Sequence, residues 1–104
     1  MKIPRSVTIA GVPIRILQED LSDEDNMQKG YYGYYSDERK VIVIEKTLSQ
    51  SVAVATVRHE MIHAALAMSG LDHLEGFEEE AIVKCMDSIF FPAWERFIKN
   101  VKRK

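Results

Sequence analysis

Between Ser51 and Leu71 only Arg58 and Glu60 carry a full charge, and from about Ser49 or Ser51 to Ser69 the apolar residues recur at helical spacing. A helix with almost no polar face is buried on most sides, so the rest of the chain must cover it. A serine N-cap opens this helix and Gly70 stands as its C-terminal stop. The stretch is long enough to span a bilayer, but Arg58, His59, Glu60 and His63 sit at its centre, each expensive in lipid. The expectation is a buried helix in a protein with no membrane partner.

The 104 residues suit one domain, residues 1–104. Hydrophobic residues at 46% and charged residues at 29% exclude disorder and low-complexity classes. Fourteen Lys+Arg against sixteen Asp+Glu lack the basic excess of a nucleic-acid binder, so no nucleic acid is expected. The single cysteine, Cys85, cannot form an internal disulfide, and Met1-Lys2-Ile3-Pro4-Arg5 is followed by no apolar run of signal-peptide length. Both features predict a reducing, cytoplasmic setting.

Strand signals fill the N-terminal half. Val7-Thr8-Ile9 and Val12-Pro13-Ile14-Arg15-Ile16, separated by Ala10-Gly11, predict a hairpin, and Pro13, lacking an amide donor, places its strand at an edge. The five carboxylates in Glu19 to Asn26 predict a solvated loop. Gly30 to Tyr35, the turn chemistry of Ser36 to Arg39, and Lys40 to Glu45 predict a second hairpin whose tyrosines serve packing. A second helix is predicted from near Glu78 through Phe90, ended or kinked by Pro92, with Trp94 to Val101 continuing as a third helical piece. The terminal Lys99, Lys102, Arg103 and Lys104 suit a helix C-terminus, with a frayed, solvated end.

The buried helix contains His59-Glu60-Met61-Ile62-His63. Residues four apart share a helix face, so the two imidazoles can aim at one zinc ion while Glu60, about 100° around, flanks the metal as a base. Two histidines and a glutamate in the most apolar segment would be costly without partners, and one metal serves all three. A catalytic zinc site needs a third protein ligand, which must follow Gly70. Glu78, Glu79 and Glu80 stand at the start of the next helix, where carboxylates also suit the helix dipole. Helical phase sets Glu78 and Glu79 beside the apolar face and Glu80 on the Lys84/Asp87 side, while His73 is the competing ligand from the loop.

The His-Glu-x-x-His pattern followed by a glutamate on a second helix resembles the gluzincin zinc metallopeptidases. The short, strand-rich N-terminal half looks like the small phage- and prophage-encoded members near the ImmA/IrrE group. The resemblance covers roughly residues 30 to 90. In such small proteins the second helix often reads Glu-x-x-Val/Ile-x-x-Leu, similar to Glu79 through Cys85, which implies Glu79 as the third ligand. Longer gluzincins often put Glu-Ala or Glu-Gly at that place, a pattern Glu80-Ala81 fits, and their acidic residue four positions on is replaced here by Val83 or Lys84. Leu66 and Ser69 stand where the metzincin extension would have Gly and His.

What the resemblance implies is an α+β, zincin-like fold: a small, mostly antiparallel sheet packed on the motif helix, with a following helix carrying a glutamate ligand. The implied activity is hydrolysis of a peptide or protein substrate through a zinc-activated water, with Glu60 as general base. An extended peptide could add to Val41–Glu45 if that strand were the exposed edge. Tyr34, Tyr35, His73 and Arg58 are candidate oxyanion donors. The rival readings are a zinc-stabilised binding or regulatory protein without turnover and an ordinary interaction module.

Overall fold

The computed structural model describes residues 3–21, 32–71 and 73–102. By its contacts the chain divides into two compact units, Met1–Asp72 and His73–Lys104.

The first unit is a four-stranded mixed sheet with one long helix. The strands are β1 (Ser6–Ile9), β2 (Val12–Glu19), β3 (Gly33–Ser36) and β4 (Val41–Glu45), in the order β1-β2-β4-β3, followed by α1 (Gln50–Met68). Ala10 and Gly11, both at positive φ, form the two-residue turn whose twist matches the strands it joins. β1 pairs antiparallel with β2, and β3 antiparallel with β4. At the centre β2 and β4 run parallel, Arg15 opposite Val41 through Glu19 opposite Glu45.

Two strand placements differ from the sequence expectation. β2 is interior, not an edge, although it contains Pro13. Pro13 lies opposite Thr8 on β1, two residues before pairing with β4 begins at Arg15. The Arg15 amide donates to Lys40 O on the β4 side at 3.2 Å, while the Ile16 amide donates to Arg5 O at 2.8 Å. By that alternation the Pro13 nitrogen faces the β4 side where no strand has yet arrived, so the missing donor costs no ladder bond. β4 is interior as well, with Val41, Ile42, Val43 and Ile44 fully buried, so it is not the edge to which a peptide could add; the edges are β1 and β3. Of the predicted acidic loop, Glu19 belongs to β2, while the part from Ser22 to Asn26, like Gly30 and Tyr31 of the second hairpin, lies outside the described residues.

α1 begins where Ser49 accepts a hydrogen bond from the Val52 amide at 3.5 Å. It ends at Gly70, φ +82°, with the Leu71 amide donating to Leu66 O at 3.1 Å, the closing bond of a Schellman turn. One face of α1 packs on the sheet: Ala53 and Ala64 join Ile14, Ile16, Ile42 and Ile44 in the core, with Val57, Met61 and Met68 against it. Ile62 and Leu66, on another face, are also buried. The small alanines let the helix approach the branched side chains of the sheet.

The second unit is helical. α2 (Gly76–Cys85) is followed without a break by a π-helical turn, Met86–Phe90, and by α3 (Phe91–Lys102). α2 starts two residues before the predicted Glu78, because Glu78 is spent on the start itself: its side chain accepts from the Glu75 amide at 3.4 Å. Pro92 does not stop the helical run, and the third helical piece, predicted from Trp94, begins at Phe91 as α3. A proline inside a helix clashes with the carbonyl four residues back and removes a donor. The preceding turn is widened, with the Phe91 amide reaching Met86 O, and Pro92 falls in the first turn of α3.

Candidate functional site

His59 and His63 stand one turn apart on α1, both half-buried, with ring centroids 5.1 Å apart and planes inclined by 60°. Imidazoles so spaced can offer two nitrogens to one ion. Glu60 is only 8% exposed, one of two buried charged side chains among the described residues. At 100° per residue it falls between the histidine face and the sheet-packing row of Ala53 and Ala64. A carboxylate there sits beside the histidines, walled by apolar core.

The helix is held against the sheet at this level by β3. Gly33 lies opposite Ile44, and a Cβ at Gly33 would stand 2.6 Å from Val43 O and 3.0 Å from Thr56 Cγ2 of α1. Only glycine permits that approach one turn before Glu60. Gly33 was not singled out from the sequence, where it reads as one more small residue among tyrosines.

Glu45 was missed too. It is buried at the end of β4, where it accepts from the Leu21 amide at 2.7 Å, the Thr47 amide at 2.8 Å and the Thr47 hydroxyl. The Thr47 hydroxyl and the two amides hold its carboxyl below the usual carboxylate range. It ties the end of β4 to the segment leaving β2 and to the approach to α1. The available signal was a lone acid closing a β-branched run, with Thr two residues on.

The oxyanion candidates separate on geometry. Tyr35 packs against the core, and its hydroxyl donates to Asp37 Oδ1 at 2.8 Å. Burial first, then Asp37, raises its pKa to about 12, so it remains protonated but committed to the β3–β4 turn. Asp37 itself is held low by Lys40, at 2.7 Å, and by Tyr35. Tyr34 points from the other face of β3 and is 42% exposed. Arg58 lies about 100° and 140° around α1 from the two histidines and lines a cavity of ≈260 Å³ with Val7, Ile16, Val54, Val57 and Met61. That is a different side of the helix from the His59/His63 face.

In the second unit, Glu78 caps α2, Glu79 is half-buried and Glu80 exposed in the next positions, and His73 is exposed in the turn before the helix. Among the described residues no helix is long and apolar enough to cross a membrane. Compared with known proteins, the chain matches no family model, no curated protein and no solved structure.

Proposed function

We propose that this protein is a zinc-dependent metallopeptidase of gluzincin type, acting on peptide or protein substrates, with His59 and His63 as metal ligands, a glutamate of the Glu78–Glu80 run, Glu79 by the resemblance, as the third, and Glu60 as general base. The observation that carries the reading is the His59/His63 pair on one face of α1 beside a buried Glu60. The third ligand implied by the resemblance is Glu79, with Glu80 of the Glu80-Ala81 pair as its neighbour in the same run. Glu78 accepts from the Glu75 amide at 3.4 Å, which favours its neighbours as the ligand. Two imidazoles and one carboxylate are a donor set of catalytic zinc sites that leaves a position open.

A zinc ion bound there supplies a Lewis acid for the scissile carbonyl and lowers the pKa of water. Glu60 then takes the proton of the attacking water on a carboxylate oxygen and delivers it to the leaving amine nitrogen. The apolar wall around Glu60 keeps bulk water from competing for that proton.

Elemental analysis of gently purified protein, followed by digestion of an unfolded-protein or peptide library, tests the reading. The expected result is close to one zinc per chain and cleavage that a chelator abolishes and zinc restores. Protein that neither carries zinc nor takes it up on titration contradicts the reading, and zinc without turnover converts it to a metal-stabilised scaffold.

A further inference from the structure

Charge is divided unevenly along the chain. Residues 91–104 carry Arg96, Lys99, Lys102, Arg103 and Lys104 against Glu95 alone, leaving nine Lys/Arg against fifteen Asp/Glu over residues 1–90. The basic segment contains α3, and α3 is two-faced. At 100° per residue Phe91, Trp94, Phe97, Ile98 and Val101 fall within an arc of about 120°, while Arg96, Lys99 and Asn100 fall outside it. The apolar arc is largely in water: Trp94 is 48% exposed, Phe97 55% and Val101 51%, and Phe90 just before it 48%.

Three aromatic rings and a valine exposed in one row, backed by cations, need a partner that is apolar at its interior and negative at its surface. We propose that α3 docks on an anionic lipid surface, lying in the interface with Phe90, Trp94, Phe97 and Val101 toward the acyl chains and Arg96, Lys99 and Lys102 among the headgroup phosphates. The charge argues for lipid over a second copy of the chain, because a two-fold pairing through α3 brings two helices of the same sign together. Twelve residues of helix span about 18 Å, too short to cross the ~30 Å hydrocarbon core, so the helix lies on the surface. The expectation of no membrane partner came from the Ser51 to Leu71 stretch and concerned spanning, which surface docking does not require. The proposal is independent of the metal reading.

Trp94 is the single tryptophan and sits mid-face, so its emission reports the event directly. The full chain is mixed with phosphatidylcholine vesicles and with vesicles that also contain phosphatidylserine. The expected result is a blue shift and co-sedimentation with the phosphatidylserine vesicles only, weakening as salt is raised. Lys99→Gln and Lys102→Gln should each weaken binding about fivefold, and Phe97→Ser should abolish it with the circular dichroism unchanged. No shift with anionic vesicles overturns the proposal. So does an equal shift with both vesicle types, or a blue shift that instead follows protein concentration without lipid, which assigns the face to a second copy. A shift with an acidic helical peptide but not with vesicles also overturns it, in favour of a protein groove.

Discussion

In residues Met1–Asp72, Ile14, the four residues Val41 to Ile44, and Ala64 are fully shielded from water, whereas in residues His73–Lys104 Val83 is the one buried apolar side chain among those described, and Phe77, Ile89, Phe90, Trp94, Phe97 and Val101 are exposed. The first unit pairs a sheet with a helix, and branched side chains from three strands close on two alanines of α1. The second is a run of helix without a second layer of its own, and its order rests on local devices: the Glu75/Glu78 start, the π turn that accommodates Pro92, and Lys99 and Lys102 at the C-terminal dipole. Burial stabilises the first unit, whereas the second presents apolar surface, which is the property a docking element needs.

The contrast is broken most directly by truncating one side chain from each unit. Ile42→Ala should cost about 2–5 kcal/mol in urea unfolding, as large-to-small changes in a closed core do. Phe97→Ala should fall within about 0.5 kcal/mol of the parent, since its ring is in water. Comparable losses would mean that α3 is covered in solution. Gly33→Ala probes the seat of α1 on β3 and should cost about 1–3 kcal/mol through overpacking against Val43 O and Thr56, with a matching loss of zinc affinity if that seat positions the histidines. Glu78→Ala should cost about 0.5–2 kcal/mol, read as lost helicity in far-ultraviolet circular dichroism, while leaving zinc binding intact. The smallest effect concerns pH. Glu45 has a folded pKa below its ordinary 4.5, so its contribution is complete above that value and is lost as pH falls through the lowered folded value. Glu45→Gln should therefore be less stable at neutral pH and lose less stability on acidification; parallel acid-unfolding curves would contradict this.

Features written in local chemistry were legible. The Ala10-Gly11 turn, the Ser49 cap, the Gly70 stop and the Gly33–Glu45 hairpin each depend on residues a few positions apart, and each lies where its residues point. What was not legible depended on distant partners. The parallel pairing of β2 with β4 joins segments about 25 residues apart, and it makes Pro13 a member of an interior strand. The wholly apolar Val41 to Ile44 run is the usual pattern of a strand buried on both faces, but it was read for composition and not for position. Pro92 marked the junction between the second and third helical pieces, but not that a widened turn just before it would carry the chain through without a stop. At the candidate site, the one-turn separation of His59 and His63 with Glu60 beside them was legible because it depends on helix spacing alone. The choice among Glu78, Glu79 and Glu80 as third ligand was not legible in the same way, since the three are alike in sequence.

The central claim is that Glu60 moves a proton and does not hold the metal. Its most direct test is the turnover of Glu60→Gln on the cleavable peptide, with zinc content determined on the same sample. The amide keeps the shape of the side chain and removes the basic oxygen, so zinc should remain close to one per chain while the rate falls by ~10²–10⁴-fold. Loss of zinc to the extent seen in His59→Ala would make Glu60 a ligand, and retention of both zinc and full activity would assign the proton transfer to another residue; either result contradicts the account.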